Sequence, residues 1–156
     1  MKKIVLWLLL GIGLTGCTFT TVSDVEMETI NMYVSADDWQ YTDYTQNNSP
    51  FANNYFYATV KVPQITTSTF TEGEVKAYVV YDRNTPNVSK HILPYVRHYE
   101  ELLSDGNWHY YTETVDYMYG PGWVEFNYRA SDFAYEDDVT INPVGMYFTI
   151  VITRAY

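Results

Sequence analysis

The sequence predicts an all-β fold made of two packed antiparallel sheets, with about seven to eight strands. Aromatic residues make up 18% of the chain, and 17 of its 156 residues are tyrosines. Tyrosine, valine and threonine fit the half-buried surface of a sheet. Several segments alternate apolar and polar side chains with the period of two that is typical of strands. Turn-forming residues separate these segments at short intervals, which indicates a sandwich.

Strands are predicted, in order, at 25–34, 38–45, 54–62, 74–81, 91–99, 108–119, 122–129 and 146–154. Four of these segments show the clearest alternation, and one side of each is expected to face the core. The residues expected to face inward are Phe56, Ala58, Val60 and Val62, then Val75, Ala77 and Val79, then Val124, Phe126 and Tyr128, then Met146, Phe148, Ile150 and Ile152. No amphipathic helix is expected, and residues 99–103 would form one turn at most.

Residues that favour turns connect these segments. Gly120-Pro121-Gly122 predicts a tight hairpin between two strands. The acidic and aromatic segment 131–138 is expected to cross from one sheet to the other. No second domain is expected, so residues 25–156 are predicted to form a single β-sandwich domain.

The N-terminal segment predicts an export signal. Lys2 and Lys3 precede an apolar run over residues 4–14, and small residues follow directly before Cys17. A positive start, a short apolar run and small residues at the cleavage point are typical of a removed signal peptide. Glycines interrupt the run, which is shorter than the roughly twenty apolar residues of a membrane-spanning helix. Residues 1–16 are therefore expected to be removed.

Leu14-Thr15-Gly16-Cys17 resembles the lipobox of bacterial lipoproteins. The resemblance implies that the thiol of Cys17 receives a diacylglycerol and that the mature chain begins there, with residues 17–24 as a lipidated tether. Cys17 is the only cysteine in the chain, and an odd cysteine in an exported protein calls for such an explanation. The three acyl chains usual for such lipoproteins would anchor the protein stably, which one chain does not.

The charge of the chain excludes some classes of partner. After Lys2 and Lys3 are removed, seven basic residues stand against nineteen acidic ones, a formal net charge of −12. Binding to phosphate backbones depends on clustered lysine and arginine. Nucleic acids and anionic lipid headgroups are therefore not expected as partners; the membrane is approached only through the lipid on Cys17.

The residues needed for catalysis or metal binding do not form a recognisable pattern. His91, His98 and His109 are spaced too widely for a structural zinc site, and no nucleotide-binding loop or nucleophile elbow is found. Asp137 and Asp138 lie in a polar loop and offer the carboxylate oxygens that calcium binds, but the loop lacks an EF-hand pattern. We expect a non-enzymatic protein without a metal or another cofactor.

The aromatic residues are the better candidates for function. Exposed rings with polar edges are suited to stacking on sugars or to forming hot spots of protein interfaces. The candidate ligand-binding residues are Trp39, Trp108, Tyr110, Tyr119 and Trp123, with the strongest expectation for a cluster around Trp108 and Trp123. Packing within and between the sheets is the alternative role of these rings.

The chain resembles the small lipoproteins of Bacteroidetes-type Gram-negative bacteria, most closely over residues 93–123. That stretch contains Leu93-Pro94-Tyr95, Asp105-Gly106, Tyr111-Thr112-Glu113-Thr114-Val115-Asp116-Tyr117 and Tyr119-Gly120-Pro121-Gly122-Trp123. The resemblance implies a tyrosine-rich, immunoglobulin-like sandwich anchored to the outer membrane, in a family without an assigned activity. Surface-exported members tend to carry acidic residues directly after the cysteine, whereas the first acid here is Asp24. The periplasmic and the outer face of the membrane both stay open.

The expected function is non-catalytic binding or assembly with a protein partner in the cell envelope. One alternative is a glycan-binding accessory lipoprotein that uses the exposed aromatics. A further alternative is a structural or fimbrial-type subunit, which would need an exposed edge strand to pair with a neighbour. Residues 146–156 are the segment expected to supply that edge.

Overall fold

The computed structural model describes residues 25–42, 55–102, 106–131 and 143–155 of the chain. Cys17, the predicted signal and tether, and the acidic loop with Asp137 and Asp138 lie outside these residues. The described residues form two antiparallel sheets, so the predicted two-sheet sandwich is confirmed.

Nine strands make up the two sheets. They are β1 (Val25–Val34), β2 (Gln40–Thr42), β3 (Tyr55–Lys61), β4 (Glu74–Tyr81), β5 (Ser89–Ile92), β6 (Tyr95–Leu102), β7 (Trp108–Gly120), β8 (Trp123–Ala130) and β9 (Met146–Ala155). The four-stranded sheet has the order β1-β9-β4-β5, and the five-stranded sheet has the order β2-β3-β8-β7-β6. A short 3-10 helix (Ala36–Asp38) and one α-helix, α1 (Thr67–Glu72), complete the described elements.

The core lies between the inner faces of β9 and β8. Phe148 of β9 stacks on Phe126 of β8, with ring centroids 3.8 Å apart and ring planes 14° from parallel. Ile150 and Ile152 are fully buried beside Phe148, and Val124 is fully buried beside Phe126. Of the residues predicted to face inward, all are buried except Val60, which is partly buried against the core.

The hairpin predicted at Gly120-Pro121-Gly122 is confirmed. Gly120 pairs with Trp123 at the end of the β7–β8 ladder, and Gly122 has a φ of 86°. Proline at the first turn position and glycine with positive φ at the second are typical of a type II turn. A side chain on Gly120 would meet the ring of Trp123 at 2.7 Å, so glycine is also required there for space.

The single strand predicted at 91–99 is in fact two strands in different sheets. β5 ends at Ile92 and pairs with β4, whereas β6 begins at Tyr95 and pairs with β7. Pro94 has no N–H to donate to a ladder, and the chain passes from one sheet to the other at Leu93-Pro94. Leu93 is buried at the crossing, and its N–H donates to the carbonyl oxygen of Ala77 at 2.9 Å.

The sequence prediction also missed α1, and residues 99–102, for which one helical turn at most was expected, are part of β6. The hydroxyl of Thr66 caps the first turn of α1 by accepting the N–H of Thr69 at 3.1 Å. Three of the six helical residues are threonine and one is serine, which are not strong helix formers. The cap and the contact of Thr69 with Arg154 of β9 therefore hold this helix, and neither gives a periodic pattern in the sequence.

The terminal strand is not an edge strand, contrary to the prediction for residues 146–156. β9 pairs with β1 on one side and with β4 on the other. Its inward residues form the centre of the core, and an interior position lets the strand bury them fully. The edges of this sheet are β1 and β5.

Replacing Phe126 by alanine removes one partner of the ring stack that joins the sheets. We expect Phe126→Ala to lower the free energy of unfolding by about 3 to 5 kcal/mol, measured by urea unfolding of the full chain. Met118→Ala, on the exposed outer face of β7, should change it by less than about 0.5 kcal/mol. Equal unfolding midpoints for the two variants would contradict this account of the core.

Candidate functional site

Trp39 lies in the core of the sandwich. Its side chain is 8% exposed, and its ring centroid lies 6.4 Å from the rings of both Tyr128 and Phe148. Those two residues belong to different sheets, so Trp39 packs between the sheets. Its ring is not available to a ligand at the surface.

Tyr119 and Trp123 lie together at the β7–β8 turn but on opposite faces of the sheet. Tyr119 faces inward, where it stacks on Tyr117 at 6.1 Å and meets the edge of Phe70 at 5.8 Å. Trp123 lies on the outer face, with its ring against the backbone of Gly120. Both rings are half-buried. Their contacts are those of a packed turn.

Of the five candidate residues, Trp108 and Tyr110 are the two whose side chains are mostly exposed to solvent. Trp108 is 56% exposed and Tyr110 is 66% exposed. They lie two residues apart on the outer face of β7, because the inner face is taken by alternate residues such as Val115. Leu102 of β6, also 56% exposed, is directly opposite Trp108. We call these three residues, Leu102, Trp108 and Tyr110, the hairpin patch.

The expected cluster of Trp108 with Trp123 does not form. Trp123 pairs with Gly120 at one end of β7, whereas Trp108 begins the strand at the other end. The two ends of β7 lie about 40 Å apart along the strand. The hairpin patch and the β7–β8 turn are therefore separate surfaces.

Polar groups flank the hairpin patch on one side, further along the outer face of β6 and β7. Glu100 is directly opposite Tyr110, and His98 is opposite Thr112. The Nδ1 atom of His98 and the hydroxyl of Thr112 are hydrogen bonded at 2.9 Å. Polar residues beside an apolar centre are usual at the rim of a protein interface.

His91 and His98, the two histidines whose side chains the structure describes, lie on different sheets and do not approach each other. His91 stacks on Tyr95 with ring centroids 4.2 Å apart, on the inner side of β5, whereas His98 lies on the outer face of β6. Within the ranges that the structure describes, no group of three or more histidine, cysteine or acidic residues is placed to hold a metal ion.

A second cluster, not found from the sequence, lies on the inner face of β6, β7 and β8. The hydroxyl of Tyr128 donates to Oε1 of Glu113 at 2.6 Å. Tyr99 and Tyr111 stack with centroids 5.1 Å apart, and the guanidinium of Arg97 lies 4.8 Å from the ring centre of Tyr99. We call these five residues the tyrosine cluster.

The electrostatics of the tyrosine cluster favour neutral hydroxyls. Burial, followed by the hydrogen bond and the charge of Glu113, raises the pKa of Tyr128 above its ordinary value. The same causes, in the same order, raise the pKa of Tyr99. Glu113 accepts the hydroxyl of Tyr128, although Arg97 is directly opposite it in the ladder. The cluster therefore closes one end of the sandwich with polar contacts between half-buried and buried side chains.

Strand parity could have pointed to this cluster. Residues 97 and 99 share one face of β6, and residues 111 and 113 share one face of β7. The sequence does not give the register that sets Tyr99 opposite Tyr111 and Arg97 opposite Glu113, so the grouping was missed.

Comparison with known proteins gave no relative: no family model matches the chain, and no curated protein or solved structure is significantly similar to it. Among the described helices, none has the length and apolar character needed to cross a membrane.

Tyr128→Phe tests the role assigned to the tyrosine cluster. The variant loses the hydrogen bond to Glu113, so the free energy of unfolding at pH 7 should fall by about 1 to 2 kcal/mol. Unfolded tyrosine ionises near pH 10, whereas folded Tyr128 keeps its proton, so this residue makes stability fall as pH rises above 10. The decline should become less steep in the variant, by about 1.4 kcal/mol per pH unit.

Urea unfolding of both chains at pH 7, 10 and 11 measures these effects. Tyr57→Phe is the matched control, since the hydroxyl of Tyr57 donates to Gln40 on the outer face. An unchanged alkaline slope in Tyr128→Phe would show that Tyr128 ionises normally in the folded protein.

Proposed function

We propose that the protein is a non-catalytic lipoprotein of a bacterial cell envelope that binds a protein partner through the hairpin patch. The observation that supports this most directly is the exposure of Leu102, Trp108 and Tyr110 side by side on one face. Tryptophan and tyrosine are the residues most enriched among interface hot spots. Their flat rings bury a large area and lose little conformational freedom on binding.

Anchoring to the outer membrane through Cys17 is part of this proposal and rests on the sequence. The positive start, the short apolar run and the lipobox-like residues before Cys17 support it. A lipid anchor would hold the sandwich at a membrane and limit its search for partners to that surface.

A glycan ligand is the second candidate for the same patch. Trp108 and Tyr110 follow each other at i and i+2 on one strand face, about 7 Å apart, and aromatic rings in such a row suit stacking on successive sugar units. Leu102 favours a protein instead, because it adds apolar area that has no hydrogen-bonding edge for a sugar hydroxyl.

Radiolabelled palmitate fed to cells that produce the full chain tests the anchor. We expect the label in the wild-type protein and none in Cys17→Ala, because the thiol is the acceptor. Label in Cys17→Ala, or no label in the wild type, would contradict lipid attachment at this residue.

A photo-crosslinking amino acid at position 110 tests the proposed partner site in the producing cells. We expect a cross-linked band of defined mass that contains a second protein. The same amino acid at position 41 is the control, since Tyr41 is an exposed tyrosine at the far edge of the same sheet. Bands of equal intensity from both positions would contradict a specific site.

Trp108→Ala measures how strongly the patch contributes. Loss of a central hot-spot ring costs about 2 kcal/mol or more, so the position 110 cross-link should weaken about thirtyfold. Glycan binding would give a different result. Tryptophan fluorescence would then show saturable binding of an oligosaccharide, Trp108→Ala would abolish this binding, and no protein would be cross-linked at position 110. Trp123→Ala is the matched control and should leave either signal unchanged.

A further inference from the structure

The edge strands of the two sheets differ in length and in protection. β1 has ten residues, whereas β2 has three and β5 has four. Edge strands expose unpaired backbone N–H and C=O groups, and folded proteins usually protect them by shortness, charge, proline or bulges. The eight-residue edge β6 contains Arg97, His98, Glu100 and Glu101. β1 contains no proline, and it pairs with β9 without interruption over all ten residues.

The charges of β1 are partly compensated within the molecule, since two carboxylates contact one guanidinium. Glu26 and Glu28 are its only charged residues, and the two guanidinium nitrogens of Arg154 contact them, each at 3.1 Å. Arg154 is itself fixed, because it also donates to the carbonyl oxygen of Gln64 at 2.7 Å and to the hydroxyl of Thr69 at 3.1 Å. One net negative charge remains at this edge after the pairing with Arg154, so little charge is left to repel another strand.

The outer face of β1 is apolar and open. Val25, Met27 and Tyr33 point to this face and are 59%, 69% and 54% exposed. Thr29 and Asn31 lie between them on the same face. A strand added to this edge would cover apolar side chains and satisfy backbone groups at the same time.

The sequence of β1 complements itself when two copies run antiparallel about Ile30. In that register Met27 faces Tyr33 of the second copy and Thr29 faces its Asn31, so apolar meets apolar and polar meets polar. Glu28 faces Met32 and Glu26 faces Val34, so no acidic residues are opposed. Sliding the copies by four residues would set Glu28 against Glu28, which is unfavourable.

We propose that β1 is a self-association edge, at which two copies of this chain pair antiparallel about Ile30 and join their four-stranded sheets into one of eight strands. The contact is isologous, so it closes as a two-fold dimer. β1 is an edge of the four-stranded sheet, whereas the hairpin patch lies on the outer face of the five-stranded sheet. A second copy at β1 and a partner at the hairpin patch would therefore bind different sheets. The proposal does not depend on the function proposed for that patch.

The overall charge gives the dimer a defined salt dependence. Each chain has a formal net charge of −10, or −12 without Lys2 and Lys3, and the two copies repel at long range. Salt screens this repulsion over about 10 Å at 0.1 M. The dimer should therefore become tighter as salt is added.

Paired cysteines test the register in the full chain, purified in a non-ionic detergent. Thr29→Cys chains mixed with Asn31→Cys chains should form a disulfide-linked dimer on mild oxidation, at least about tenfold more than either variant alone. Lys90→Cys mixed with Ile92→Cys is the matched control on the edge strand β5, and this mixture should form no disulfide-linked dimer. The wild-type chain shows whether Cys17 by itself forms such a dimer. Equal cross-linking in the 29/31 mixture and in its separate components would overturn the proposed register.

Sedimentation in a density-matched detergent tests the dimer itself. Met27→Asp should raise the dissociation constant at least about tenfold, because the buried acid would face Tyr33 of the second copy. Ile92→Asp, at a similarly exposed position on β5, should leave it unchanged. A wild-type chain that stays monomeric at about 0.1 mM in about 0.5 M salt, or equal effects of the two substitutions, would overturn the proposal.

Discussion

The structure depends on the contact between the inner faces of β8 and β9, where Phe126 stacks on Phe148 at 3.8 Å. The chain has one cysteine, so no disulfide within it can support the sandwich. Fully burying a large apolar side chain contributes about 1.5 to 3 kcal/mol. The row of fully buried residues on β8 and β9 therefore provides much of the stability, and the interior position of β9 follows from it.

This core buries one face of each sheet and leaves the other face toward solvent. In the five-stranded sheet, odd-numbered residues of β7 such as Val115 face the core, and even-numbered residues such as Trp108 and Tyr110 face outward. In the four-stranded sheet, β9 occupies the centre, and β1 becomes a long edge. The hairpin patch and the β1 edge are thus both consequences of how the core is built.

Polar clusters close the sandwich where apolar packing ends. At one end, Arg154 joins β9 to β1 through Glu26 and Glu28, and to α1 through Thr69. At the other end, Glu113 accepts the hydroxyl of Tyr128. Tyrosine suits such positions because its ring packs against the core while its hydroxyl reaches a polar partner. This gives a physical reason for part of the high tyrosine content.

The sequence by itself determined the fold class, most strand positions and the inward residues, because the period of two along a strand directly sets which side chains face the core. It also predicted Trp108 and Tyr110 as candidate binding residues, and both are exposed because they lie on the outer face of β7. Strand order, register and the crossing at Leu93-Pro94 were decided only by the tertiary structure. These depend on which segments meet across the sandwich, and residues far apart in the chain decide that together. The burial of Trp39, the separation of Trp108 from Trp123, the tyrosine cluster and the exposed edge of β1 all follow from such long-range pairing, which no local pattern encodes.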